Sequence, residues 1–324
     1  MPGRMAGVER LEDLVGRRVA LRHRLGSGLL TDAVGELTVD GAALVVQTRR
    51  GPVRVARPDV VAARAIPPAV PRRPSWAAVA HLENLCADAW PARVDEPLGA
   101  WRLRAAGGFT GRANAALAVG DPGIPVPAAL AAARAFADGH GVPPRVHVPV
   151  GSPWDRAVAA AGWVLDAGHE AGAEVAVLVA DVDRLAAHDS AVALTERPDE
   201  AWWALALGRE PTPAERWVLD PGSHAVLEST VGTAFGLVAD AGVIRAVVVG
   251  DHLHLSRLAV RPEARRAGTG TALTAAAAVW GREQGARWAV LQVALHNTAG
   301  RAFYDALGAT EHHRYRYLVP PPSR

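Results

Sequence analysis

The sequence predicts an α/β protein in which a mixed sheet flanked by helices occurs twice in tandem behind a small β-barrel. Three observations carry this expectation. Residues 11–66 hold short Val-rich runs broken by turn signals, the pattern of a small all-β unit. Residues 75–185 and 186–324 each alternate helical and strand periods. The two alternating segments also repeat one order of elements. AALAAARAFADGHG (128–141) resembles TALTAAAAVWGREQG (271–285), and each precedes a Val-rich strand. A helix reaching a glycine follows, WDRAVAAAGW (154–163) and FYDALGAT (303–310), and then a closing strand. Biased composition imitates one such match easily and four in order much less easily, so an internal duplication is expected.

The barrel is placed at 1–68. Its strands are read at Arg17–Leu25, Val34–Val39, Ala42–Thr48 and Gly51–Ala56. VDGA (39–42) supplies an Asp-Gly hairpin and RRG (49–51) the next turn. Four or five short strands suit an SH3-like barrel. The proline-rich IPPAVPRRP (66–74) reads as a semi-rigid linker.

In the segment 75–185, helices are expected at Trp76–Trp90, with Ser75 as N-cap, Val126–His140 and Pro153–Ala161. Strands are expected at Trp101–Leu103, Ala113–Val119, Arg145–Val150 and Val175–Ala180. In 186–324, helices fall at Asp199–Leu207, Pro213–Leu219, Gly268–Gln284 and Thr298–Leu307. Strands fall at Ala234–Ala239, Val243–Val249, Leu253–Val260, Trp288–Leu295 and Tyr315–Val319.

Composition narrows the function classes. Half the residues are hydrophobic and 21% are charged, which suits a soluble globular chain. There is no lysine, so all 35 basic residues are arginine, and the formal charge is only +2. That balance does not indicate nucleic-acid binding. Cys86 is the single cysteine, which excludes an intrachain disulfide and a cysteine-based zinc site; no metal is expected. The N-terminal residues carry no signal-like apolar run, and no stretch is long enough to span a bilayer, so a cytoplasmic protein without a membrane partner is expected. Oligomeric state is open.

The most informative motif is RPEARRAGTGTAL (261–273), which joins the strand LHLSRLAV (253–260) to a long helix. A helix N-terminus offers unpaired N–H groups and partial positive charge. Gly268 and Gly270 let the backbone approach an anion, and Arg265 and Arg266 add charge-assisted bonds. Together these make a pyrophosphate site. The third glycine of a dinucleotide-binding loop and the lysine of a P-loop are both missing.

The order Arg-Arg-Ala-Gly-Thr-Gly resembles the Q/R-x-x-G-x-G/A loop of the GNAT N-acetyltransferase superfamily. The resemblance spans roughly 200–320 and includes LQVALHNTAGRAFYDALGA (291–309). It implies acetyl-CoA as co-substrate, with Arg265, Arg266, Ala267, Gly268, Thr269, Gly270 and Thr271 around the pyrophosphate. The backbone of Leu258, Ala259 and Val260 would pair with the pantetheine arm, and the Val260 N–H would stabilise the oxyanion. Asn297 would bond the same arm, although a helix cap is its plain role. Tyr304 would protonate the leaving thiolate, although a tyrosine on an amphipathic helix also serves as core. The family's base position, usually Glu, falls on His254; Glu228 and a water chain are the alternatives.

The equivalent slot of the first copy reads GDPGIPVPAAL (120–130). It has Asp121 in place of the basic pair, and Pro122, Pro125 and Pro127 remove amide donors. A degenerate copy that shapes the acceptor channel is expected. In GFTGRANAAL (108–117), Arg112 and Asn114 are either substrate contacts or strand-edge residues.

The whole arrangement resembles an actinobacterial GNAT subfamily whose mycobacterial members are described as histone-acetyltransferase-like. The implied activity is acetyl-CoA-dependent N-acetylation of a primary amine. The acceptor would be a lysine of a histone-like or nucleoid protein, or a small-molecule amine. The alternative is an acetyl-CoA-sensing or protein- or DNA-binding module of little activity.

Overall fold

The computed structural model describes residues 11–48, 51–66, 74–220 and 232–322. The chain divides into two compact units, Met1–Arg72 and Arg73–Arg324.

The first unit is a five-stranded antiparallel sheet. Its strands are β1 (Arg18–Arg24), β2 (Leu30–Asp40), β3 (Ala43–Thr48), β4 (Gly51–Ala56) and β5 (Val60–Ala65), in the order β4-β3-β2-β1-β5. The Asp40-Gly41 turn joins β2 to β3 with Gly41 at φ +61°, where a glycine has no Cβ penalty. Alternation buries Val19 and Leu21 of β1 and Ala33 and Leu37 of β2 with Leu14, Leu44, Val46 and Val55. Parts of the RRG turn and of the proline-rich linker lie outside the described residues.

The second unit holds one twelve-stranded sheet. Its first half runs α1 (Trp76–Ala89), β6 (Val94–Leu98), β7 (Trp101–Ala105), β8 (Ala116–Leu117), α2 (Val126–Gly139), β9 (Val146–Pro149), α3 (Pro153–Ala160), β10 (Val164–Leu165) and β11 (Glu174–Asp181). The second half runs α4 (Val182–Ala186), β12 (Leu194–Thr195), α5 (Glu200–Leu207), α6 (Pro213–Leu219), β13 (Thr233–Val238), β14 (Gly242–Val249), β15 (His252–Val260), α7 (Thr269–Glu283), β16 (Trp288–Ala294), α8 (Thr298–Ala306) and β17 (Thr310–Val319). Ser75 caps α1, accepting from the Ala78 amide at 3.2 Å.

The strand order β12-β13-β14-β15-β16-β11-β17-β9-β8-β7-β6, with β10 on β17, shows the duplication. The β15–β16 pair is parallel and bridged by α7; the β8–β9 pair is parallel and bridged by α2. Between them the closing strands are exchanged. β11 of the first half lies between β16 and β17, and β17 lies between β11 and β9. The two halves therefore share one continuous sheet rather than two separate ones.

On one face of this sheet α7 packs Leu273, Ala277 and Ala278 against Ile244, Leu253 and Leu255. The approach is close, because a Cβ on Gly281 would stand 2.9 Å from the Leu253 side chain. The opposite face is aromatic, with Trp90, Trp202, Trp203 and Phe235 around Val243. Burying each such side chain contributes roughly 1.5–3 kcal/mol. A buried charge pins the halves together. Glu83 of α1 accepts from His313 of β17 at 2.7 Å and stands 3.0 Å from His147 of β9, the latter off the line of a hydrogen bond. Burial would raise the Glu83 carboxyl, but the attraction of these two histidines and the hydrogen bond from His313 outweigh it and hold it at about 2. Among the described residues no helix is long and apolar enough to cross a membrane.

Candidate active site

The site begins where two strands part. β15 and β16 pair only from His252–Trp288 to Leu255–Leu291. Beyond Leu255 the ladder ends and a cleft of about 1210 Å³ opens. On its other edge β15 stays paired to β14, with Ser256 opposite Arg245 and Ala259 opposite Val243. Arg257 and Leu258 thus both face Ile244, and Arg257 sits at φ +54°: a β-bulge. The Arg261 amide donates to the Ala241 carbonyl, just before β14, at 2.8 Å. By strand alternation the N–H and C=O of Leu258 and Val260 then point to the free edge, and those of Ala259 to β14. Of the three expected backbone groups, two face the cleft.

The glycine loop closes the same cleft. Gly268 is the N-cap of α7 at φ +82°, without a side-chain cap, so the first-turn amides keep no side-chain acceptor. Arg265, Arg266, Gly268, Thr269, Gly270 and Thr271 all line the cleft, whereas Ala267 is exposed on the loop outside the lining. The Arg265 guanidinium donates to the Val260 carbonyl at 3.2 Å, and Thr269 to the Ala264 carbonyl at 3.3 Å. The loop is therefore shaped before any ligand arrives. Uncapped amides, two exposed guanidiniums and a left-handed glycine fit a pyrophosphate.

Asn297 and Tyr304 reach the cleft from α8. Asn297 caps α8 by accepting from the Gly300 amide at 2.9 Å, which leaves its amide NH₂ free to donate. Tyr304 is 7% exposed and packs with the α7-side core; its hydroxyl has no hydrogen-bond partner among the described residues. Burial raises its phenol well above the ordinary value, so it keeps its proton.

His254 is not brought to this cleft. It is 0% exposed, with its ring 6.4 Å from that of Trp90 and both ring nitrogens unpaired. Burial, then Arg112 and Arg245, push its pKa well below 6.5. Such an imidazole returns any proton it takes, so the expected base is poorly suited by both position and charge. Glu228 lies outside the described residues.

Sequence reasoning missed the cleft's far wall. Ser256, Arg257 and Gln292 line it together with Arg112. Leu255, Leu291 and Val293 pack toward α7, so Gln292 projects from the opposite face, where Arg112 donates to it at 2.9 Å. The bulge turns Arg257 to that face as well, where it donates to the Ala206 carbonyl. Asn114 holds the Arg112 loop. Its carbonyl accepts from the Ala106 and Gly108 amides at 2.7 and 2.9 Å, and its NH₂ donates to Phe109 and Thr110, both at 2.8 Å. In the first half, α2 starts at a proline N-cap, Pro125, again with no side-chain cap. The loop before it folds on itself through Asp121, which accepts from the Gly123 amide at 2.8 Å.

A strand splayed from its parallel neighbour, with a glycine-started helix beneath the opening, defines an acetyltransferase of the GNAT class. The family model "Probable histone acetyltransferase Rv0428c C-terminal" matches residues 77–318, and "Rv0428c N-terminal Sm-like domain" matches residues 14–64. The chain belongs to this family. It is 31% identical over 316 residues to "Probable histone acetyltransferase Rv0428c" of Mycobacterium tuberculosis, covering 94% of this chain and 95% of the relative. Among solved structures, a GCN5-related N-acetyltransferase from Kribbella flavida is 19% identical and matches 76% of this chain and 95% of its own at a TM-score of 0.52. A tandem GNAT protein from the clavulanic acid biosynthesis pathway, 18% identical, matches 88% of this chain and 86% of its own at a TM-score of 0.37.

Proposed function

We propose that the chain transfers the acetyl group of acetyl-CoA to a primary amine, by direct attack of the neutral amine. One observation carries the reading: the uncapped N-terminus of α7, the free edge of β15, Asn297 and Tyr304 all face one cleft. In this reading residues 186–324 carry the site, 75–185 are the degenerate copy that walls the acceptor side, and 1–68 are the separate β unit.

Acetyl-CoA supplies the acyl group already activated as a thioester. Arg265, Arg266 and the amides of Thr269, Gly270 and Thr271 hold the pyrophosphate. The Leu258 and Val260 backbone and the free NH₂ of Asn297 align the pantetheine arm, and the Val260 N–H faces the developing oxyanion. Tyr304 holds a proton beside the departing sulfur. Its raised pKa suits it to donating a hydrogen bond, with full transfer completed through solvent. Among the described residues no carboxylate lines the cleft, so we assign the amine's proton to water there rather than to His254.

The acceptor class is a protein lysine or a small-molecule amine; the mycobacterial relative is named a probable histone acetyltransferase. Calorimetric titration with acetyl-CoA, followed by thiol-release assays over amines and lysine peptides, tests the proposal. Saturable binding with turnover supports it. Binding with turnover on no acceptor would favour a sensing role instead.

A further inference from the structure

The face of the splay opposite α7 is unusually cationic. Arg112, Arg245 and Arg257 meet there. The Arg112 and Arg245 guanidiniums lie 4.4 and 5.2 Å from the centroid of the same Trp90 ring. Arg112 and Arg257 both line the cleft. None of the three forms an ion pair among the described residues.

Their acceptors are neutral. Arg112 has the Gln292 side chain. Arg245, 0% exposed, has the carbonyls of Ala89, Val218 and Leu219 and the Ser256 hydroxyl. Arg257 has the Ala206 carbonyl, and its buried Nε has no partner. The acids around them are engaged elsewhere: Glu215 with Arg209 at 2.7 Å, Asp220 with Arg197 at 3.4 Å, and Glu83, which lines a small cavity with Arg112 and Gln292, with His313 at 2.7 Å. Burial first, and then repulsion from Arg112, lower the Arg245 guanidinium to about 9.

Clustered guanidiniums without a counter-ion are costly, and an oxyanion from outside relieves that cost. The planar fork of Arg matches carboxylate and phosphate oxygens. The opposite face holds the proposed phosphate loop, so this one receives the second substrate. A lysine within a basic peptide would bring more positive charge to it.

We propose that the acceptor is an amine that itself carries an oxyanion, a carboxylate or a phosphate, bound by Arg112 and Arg257. The proposal rests on the acetyl-transfer reading above, so acetyl-CoA binding is measured first. No binding by the wild-type protein removes that reading and leaves this one without a substrate site.

The test compares matched acceptors by kcat/KM: the standard α-amino acids against their primary amides, O-phosphoethanolamine against ethanolamine, and an arginine- and lysine-rich peptide. The anionic member of at least one pair should be preferred about 10- to 100-fold, the range expected of hydrogen bonds to a charged group. The productive pair tells carboxylate from phosphate. Arg112→Gln and Arg257→Gln should erase that preference by raising the acceptor KM, with acetyl-CoA affinity and the circular dichroism spectrum unchanged. The proposal is overturned if neutral amines or the basic peptide are the better acceptors, or if acetyl-CoA binds and no anionic amine turns over. A loss of acetyl-CoA affinity in the folded variants also overturns it, because the arginines would then serve the cofactor. The chain has no lysine, so acetyl-lysine appearing in a peptide assay belongs to the peptide.

Discussion

Arg112 and Gln292 stand 180 positions apart and share a hydrogen bond of 2.9 Å, which ties a loop of the first α/β half to a strand of the second. The loop holds its shape through the four hydrogen bonds of buried Asn114. Asn114→Ala removes these and strands buried backbone groups, for an expected loss of about 2–4 kcal/mol. Denaturant unfolding measures it, and a loss below about 1 kcal/mol would show that the loop does not depend on this amide.

Tyr304→Phe separates core from chemistry. The hydroxyl has no protein partner among the described residues, so stability and acetyl-CoA affinity should hardly change. Turnover should fall about 100-fold, the usual contribution of a positioned acid. Unchanged turnover across pH would reduce Tyr304 to packing.

His254→Asn should leave the pH profile of kcat/KM in place. The native ring is already neutral near pH 6.5, because burial and its arginine neighbours depress its pKa. Disappearance of the acidic limb in the variant would restore His254 as the base.

Glu83 predicts acid sensitivity. Its folded pKa, about 2, lies below the ordinary 4.5 because of His147 and His313, despite burial. A depressed carboxyl contributes stability above its unfolded pKa and loses it as pH falls from about 4.5 toward about 2. The contribution is on the order of 3 kcal/mol. Unfolding of wild type and Glu83→Gln should therefore converge across that window. A pH-independent gap would contradict the assignment.

Much of the fold was legible in the sequence because the second half is strongly periodic. Pro213–Leu219 matches its expected helix at both ends and Ser75 is the expected N-cap, whereas Asp199, expected as the first residue of its helix, caps it instead. Short edge pieces were not legible. Val164–Leu165 and Leu194–Thr195 are two-residue strands, too brief for a period to register. The exchange of β11 and β17 was invisible because strand partners are set by tertiary packing rather than by local pattern. The phosphate loop was readable because its chemistry is contiguous. Of the far wall only Arg112 was legible, as one of two possible substrate contacts; its meeting with Arg257 and Gln292 was not, because it joins distant residues, one of which depends on a bulge with positive φ.

The most direct test of the account is calorimetric titration of acetyl-CoA into the wild-type protein and into the double variant Arg265→Glu/Arg266→Glu. Saturable binding by wild type and an affinity weaker by about 100-fold or more in the variant is the expected result, since two charge-assisted contacts become repulsive. Equal affinities in the two proteins would contradict the pyrophosphate loop on which the proposed function stands.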